Sequence, residues 1–114
     1  YESVYQNNPD ITFILAHGRP NDEAIRMVQE YKNVFVDSAF MPICEMKKFI
    51  VNGLCYKLLW GTDMCIPKHF FPKINLESYY MEKISAFRAI STEDEFNQVT
   101  HLNALRVFKI KNYY

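Results

Sequence analysis

The sequence of 114 residues lacks the features that mark several large classes of protein. It has only three glycines and neither a Gly-rich phosphate loop nor a G-x-S-x-G element, so nucleotide binding of that kind and serine hydrolysis lack support. No apolar run approaches the ~18 residues that span a bilayer, and we expect no membrane partner. The 13 basic and 13 acidic residues cancel, which argues against nucleic acid as a partner.

Cysteine is also scarce. Cys44, Cys55 and Cys65 are an odd number without C-x-x-C spacing, which argues against a disulfide framework and a zinc ribbon. We therefore expect a reducing, cytoplasmic compartment. Apolar residues, in contrast, make up 49% of the chain, enough for a packed core. Because the chain starts at Tyr1 with what resembles the tail of a helix, we expect it to be part of a longer protein.

Three apolar runs predict a parallel sheet. They occupy residues 11–16, 33–36 and 57–60 and lack alternation, which is typical of strands buried on both faces. Their predicted starts at Ile11, Val34 and Lys57 are 23 residues apart each time, the spacing of a βαβαβ series.

The intervening segments have helical periodicity. The first carries an apolar stripe from Ala24 to Tyr31, with Asn21 or Asp22 as its expected cap. Residues 64–73 contain two prolines and predict a loop. A helix is then expected to open at Asn75 or Ser78, and residues 92–95 form a capping box that starts a last helix.

Polar residues follow each predicted strand, where the sites of α/β folds lie. Asp63 is either a turn residue or a carboxylate that binds a metal ion and accepts a proton. His17 is either an interior histidine or a metal ligand. For Asp37 a capping role is favoured over a site role. His69 and His101 are interpreted as structural.

Together these strand ends resemble a known family. The stretches PDITFILAHG, NVFVDS and KLLWGTD, with NALRVF near the end, are similar to the C-terminal half of the amidohydrolase superfamily. The resemblance is strongest to the amidohydrolase-related group that includes enzymes like aminocarboxymuconate-semialdehyde decarboxylase. It covers most of the chain, in the family's order and spacing.

The resemblance implies an α/β fold, namely strands six to eight of a TIM-type (β/α)8 barrel, with residues 1–114 as one C-terminal fragment. It implies a divalent metal, zinc by preference, with Asp63 as ligand and general base and His17 as ligand or catalytic acid/base. Asp37 and Ser38 would border the pocket of a small-molecule substrate. Arg19 stands where the family often has another glycine, and it either faces an anionic substrate or is solvated.

The family's His-x-His pair and the histidine of strand five have no counterpart among His17, His69 and His101. We therefore expect a metal-dependent hydrolase acting on a C–N or C–O bond whose 114-residue fragment is inactive alone. A decarboxylase or lyase of the same group is the first alternative. A non-catalytic α/β module is the second, since open sheet edges could pair with a second copy or with the missing N-terminal half of the barrel.

Overall fold

The computed structural model describes residues 1–111 of the chain. Three parallel strands form one sheet in the order β1-β2-β3, with Phe13 opposite Val34 and Val36 opposite Leu58. The strands are β1 Phe13–Leu15, β2 Val34–Asp37 and β3 Leu58–Leu59. The helices are α1 Glu2–Asn7, α2 Asn21–Glu30, α3 Ile43–Val51, α4 Ile66–Phe70, α5 Leu76–Ile90, α6 Glu93–Asn97 and α7 Asn103–Val107. The predicted α/β class and the parallel sheet are confirmed, although β1 and β3 begin slightly later than expected.

The core lies between one face of the sheet and the helices α2 and α3, and the C-terminal helices add Phe87 and Phe96 to it. Alternate residues of a strand point to opposite faces, and Val34, Val36 and Leu58 are fully buried on the covered face. The apolar stripe of α2 packs onto them, and α3 adds Met46 and Phe49, which have no exposed surface. Burying a side chain such as that of Phe49 stabilises the fold by about 1.5–3 kcal/mol.

Several helix boundaries follow the predicted signals, and two do not. Asn75 caps α5 through its side chain, and the capping box at Thr92 and Glu95 is formed. The cap expected at Asn21 or Asp22 is absent, because α2 starts at Asn21 behind Pro20. The segment predicted as a loop contains α4, since its proline is in the first turn, where the missing N–H has no helical partner to lose.

The outer edge of β3 is bonded to the C-terminal helices. A π-helical turn, Gln98–Leu102, joins α6 to α7, and the Trp60 N–H donates to the Val99 carbonyl at 2.9 Å. The Asn103 amide donates to the Leu58 carbonyl at 2.8 Å and to the Cys55 carbonyl at 2.6 Å. In the described part of the chain, these bonds satisfy the Leu58 carbonyl and the Trp60 N–H on the side of β3 that faces away from β2. Within residues 1–111, β1 pairs on one side only.

Within residues 1–111, no helix is both long enough and apolar enough to cross a lipid bilayer.

Candidate active site

The predicted site residues meet at the carboxyl-terminal edge of the sheet. His17 lies in the 3-10 turn Ala16–Gly18 directly after β1, Asp37 ends β2, and Asp63 follows β3 by four residues. Parallel strands bring their carboxyl ends to one edge, so residues from three distant parts of the sequence become neighbours. Together with Ala16, Ala39 and Gly61 they line a cleft of about 310 Å³.

The backbone at this edge adopts left-handed conformations at residues other than glycine. His17 has φ 63°, Phe40 φ 55°, Asp63 φ 50° and Cys65 φ 81°. This conformation costs most residues with a Cβ about 1–2 kcal/mol and costs His and Asp less, because these two types tolerate it better. Residues in such conformations cluster where a side chain must be aimed in one direction, as is the case for His17 and Asp63.

The His17 ring has a defined orientation. Its Nδ1 lies 3.2 Å from the Ala39 carbonyl oxygen, and the Phe40 ring packs edge-on against it at 5.7 Å between centroids. A carbonyl can only accept a hydrogen bond, so the neutral ring carries its proton on Nδ1. Its Nε2 then presents a lone pair to the cleft. The same arrangement is common for histidines that bind metal ions.

The Nε2 atom of His17 faces the carboxylate of Asp63. The distance to Oδ2 is 3.8 Å, too long for a hydrogen bond, and the two side chains are 39% and 41% exposed. Two electron-pair donors pointed at one another favour a cation bound between them.

Asp37 holds this arrangement from the middle strand. Its Oδ1 accepts the backbone N–H of His17 at 3.2 Å and that of Ala39 at 2.9 Å. The Nδ1 of His17 is 3.9 Å from the same oxygen, outside hydrogen-bond range. Asp37 does not cap α3, which begins behind Pro42 without a side-chain cap, and its contact with Ala39 closes a local turn instead. Its contact with His17 positions that residue. Gly61 passes so close that an added Cβ would lie 3.1 Å from Asp37 Oδ1.

Two other predicted pocket residues lie elsewhere. Ser38 is fully buried instead of facing the cleft, and its hydroxyl accepts the Gly61 N–H at 3.1 Å. Arg19 is exposed and donates to the Phe40 carbonyl at 3.2 Å, so it supports the loop after β2 without lining the cleft. His69 packs edge-on against the ring of Phe70 within α4, as expected for a structural histidine.

Two side chains on α5 that were not predicted as site residues reach the same edge. Tyr80 donates its hydroxyl to the Thr62 carbonyl at 3.0 Å, and burial raises the pKa of that phenol. The Lys83 ammonium donates to the Ser38 carbonyl at 2.6 Å. Burial lowers the pKa of Lys83 to about 8, against the opposing effect of Asp37. The sequence held one indication of the position of Lys83, because this lysine falls within the apolar stripe of the helix.

The side chains of His17 and Asp63 offer two of the ligands that a divalent metal ion needs. Imidazole nitrogen and carboxylate oxygen suit zinc, and two ligands of one tetrahedral ion with bonds of about 2.1 Å lie roughly 3.4 Å apart. The His17 and Asp63 atoms, 3.8 Å apart, fit as two neighbouring ligands. They do not complete a site, because within residues 1–111 no group of three or more His, Cys, Asp and Glu side chains is arranged to hold a metal ion.

The sequence shows to which family the chain is related. A sequence profile described as amidohydrolase matches residues 1–110. The chain belongs to the amidohydrolase family. The match includes all three strands of this amidohydrolase and the residues at their ends, which supports an amidohydrolase-type function in the broad sense. No curated protein and no solved structure gave a significant match.

Proposed function

We propose that this chain supplies part of the active site of a metal-dependent hydrolase that cleaves a C–N or C–O bond in a small molecule. The observation that carries the proposal is the pair formed by His17 Nε2 and Asp63 Oδ2, two electron-pair donors 3.8 Å apart in an accessible cleft. Membership of the amidohydrolase family supports it, since that family generally uses divalent metal ions.

The residues of the cleft have separate tasks in this proposal, and Asp63 has two. His17 and Asp63 would hold the ion, zinc by preference, and a bound ion supplies Lewis acidity that makes water more acidic. The carboxylate of Asp63 accepts the proton of the attacking water. The Ala39 carbonyl keeps the His17 proton on Nδ1 and Nε2 free. Asp37 holds the backbone of His17 in place.

The proposal extends to the whole protein. We infer that the chain represents strands six to eight of a (β/α)8 barrel. We place it in the group of enzymes that resemble aminocarboxymuconate-semialdehyde decarboxylase, and decarboxylation is therefore the alternative reaction. The parallel order of the strands and the site at their carboxyl ends support this. The one-sided pairing of β1 offers an edge for the rest of the barrel or for a second copy.

The isolated chain should be inactive in this proposal, because two protein ligands do not complete a four-coordinate site.

Three free cysteines fit a reducing, cytoplasmic compartment.

The metal site can be tested by NMR even when binding is weak. Mn²⁺ is paramagnetic and prefers carboxylate to thiolate, so the exposed Cys44 and Cys65 should compete little. We expect substoichiometric Mn²⁺ to broaden the amide signals of His17, Asp63 and Gly61 before those of other residues. His17→Ala and Asp63→Ala should each abolish that selective broadening.

The control variant is His69→Ala, which removes a histidine from α4 away from the cleft and should leave the broadening unchanged. Broadening centred elsewhere, or unaffected by His17→Ala and Asp63→Ala, would refute the proposed metal site. In a protein that carries the family's other ligands, Asp63→Ala should abolish turnover, and unchanged turnover would make Asp63 a turn residue only.

A further inference from the structure

Helix α5 directs a charged side chain toward the ends of β2 and β3. Tyr80, Lys83, Ile84 and Phe87 follow the spacing of one helical face, and Phe87 is fully buried in the core. Lys83 is therefore a lysine on a face that packs inward. Its Nζ donates to the Ser38 carbonyl at 2.6 Å and lies 5.4 Å from the centroid of the Trp60 ring. One ammonium thus contacts the residue after β2 and the residue after β3.

The contact on Ser38 bears on the segment formed by residues 37–39. The Ser38 N–H donates to the Leu59 carbonyl at 2.9 Å, and its hydroxyl accepts the Gly61 N–H at 3.1 Å. The residue before it, Asp37, accepts the His17 N–H, and the residue after it, Ala39, places its carbonyl 3.2 Å from His17 Nδ1. Residues 37–39 therefore orient both the backbone and the ring of His17.

We propose that Lys83 is a positioning residue that holds residues 37–39 in the arrangement that directs His17 toward Asp63. A hydrogen bond from an ammonium to a carbonyl is about twice as strong as a neutral one. The cation over the Trp60 indole adds a second attachment directly after β3. Since both attachments use the same Nζ atom, Lys83 couples the ends of β2 and β3. The inference rests on the proposed function only for the role of His17 as a metal ligand.

Amide hydrogen exchange tests the proposal without substrate or metal. In Lys83→Met, which keeps the side-chain length and loses the ammonium, we expect exchange of the His17, Ala39 and Gly61 amides to accelerate at least tenfold. These three amides donate to the side chains of Asp37 and Ser38. Amides of the α2 and α3 core should keep their rates. Lys47→Met, an exposed lysine of α3, is the matched control and should change none of them.

Two results of this exchange experiment would overturn the proposal. Unchanged rates at His17, Ala39 and Gly61 would show that residues 37–39 do not depend on Lys83. An equal acceleration at all amides, the α2 and α3 core included, would show that Lys83 stabilises the whole fold without positioning His17.

A spectroscopic signature separates positioning from general stability. Long-range ¹H–¹⁵N spectra at pH 7.5 should show the wild-type His17 ring protonated on Nδ1. In Lys83→Met the two tautomers should be mixed, because the Ala39 carbonyl is no longer held beside Nδ1. A retained Nδ1 proton in a folded variant would contradict the inference.

If Lys83→Met fails to fold, the wild-type chain still gives a decision. The Lys83 ammonium protons should then be visible in ¹H–¹⁵N spectra as a slowly exchanging signal shifted upfield by the Trp60 ring, while the protons of Lys47 exchange rapidly. Equal behaviour of the two lysines would refute the contact on which the inference depends. Because none of these measurements involves a metal ion, their failure is distinguishable from failure of the proposed function.

Discussion

Gly18, the residue after His17, provides the most discriminating test of the packing beneath the site. It adopts φ +55°, and a Cβ built there would lie 2.6 Å from Met41 Cε and 2.8 Å from Val36 Cγ1. Gly53 adopts a similar φ of +66° but has nothing within 4 Å of its Cβ position. Both glycines therefore adopt a positive φ, and they differ in the room that is available for a Cβ atom. Gly53→Ala is for this reason a matched control for Gly18→Ala.

The expected magnitudes follow from that difference. Left-handed backbone costs alanine about 1–2 kcal/mol, and this is the cost expected for Gly53→Ala. Gly18→Ala adds overpacking of about 1–3 kcal/mol, so we expect a total loss of about 2–5 kcal/mol. The Met41 methyl is the end of a flexible chain and can move aside, whereas the branched Val36 side chain is stiff. Val36 should therefore carry most of the steric cost.

Urea denaturation followed by circular dichroism measures these free energies of unfolding. The variant Val36→Ala separates the steric part, because combining it with Gly18→Ala should cost clearly less than the sum of the two single losses. Equal losses for Gly18→Ala and Gly53→Ala would refute the close packing of Val36 against the turn that carries His17.

Three further predictions concern stability. Asn103→Ala should cost about 2–4 kcal/mol in urea denaturation, because two carbonyls lose their buried amide donor. Thr92→Ala should lower the thermal midpoint through a loss of about 1 kcal/mol, and Thr92→Ser should restore it. Burial lowers the pKa of Lys57 and of Lys83 to about 8, so the unfolded chain binds more protons above that pH and stability should rise from pH 8 to 9. Lys57→Met should reduce that rise, and a flat profile in the wild type would contradict it.

Above pH 9, the thiol of Cys55 changes the stability in the direction opposite to the two lysines. Burial raises the pKa of its thiol from 9.0 to about 11, so the folded chain binds more protons than the unfolded chain between these values. This contribution to stability is lost as the pH rises from 9 to 11. Measurements between pH 8 and 9 therefore report mainly on the two lysines.

The sequence predicts those parts of the structure that depend on local pattern. Unbroken apolar runs identify the three strands, and their spacing identifies the parallel order. The positions of His17, Asp37 and Asp63 at one edge follow from that topology alone. Caps whose partners are three residues apart, such as those at Asn75 and Thr92, are also predicted correctly.

Features that depend on contacts between distant segments were not predicted. The bond from Lys83 to Ser38 spans 45 positions, as does the bond from Asn103 to the Leu58 carbonyl. No local periodicity indicates which helix covers which strand end, so a lysine in an apolar stripe has no assigned partner at the level of sequence. Ser38 was placed at the pocket for the same reason, because its position after β2 does not indicate which way the hydroxyl points.

The site owes its geometry to residues that are not its ligands. His17 has an unfavourable backbone conformation, yet its N–H is held by Asp37, its Nδ1 by Ala39 and its ring by Phe40. These contacts form when the chain folds, before any ion or substrate binds. A ligand that meets an already oriented imidazole has little conformational entropy left to remove, and its affinity rises accordingly. Weakening residues 37–39 should therefore weaken the pair of His17 and Asp63 while both ligands remain in place.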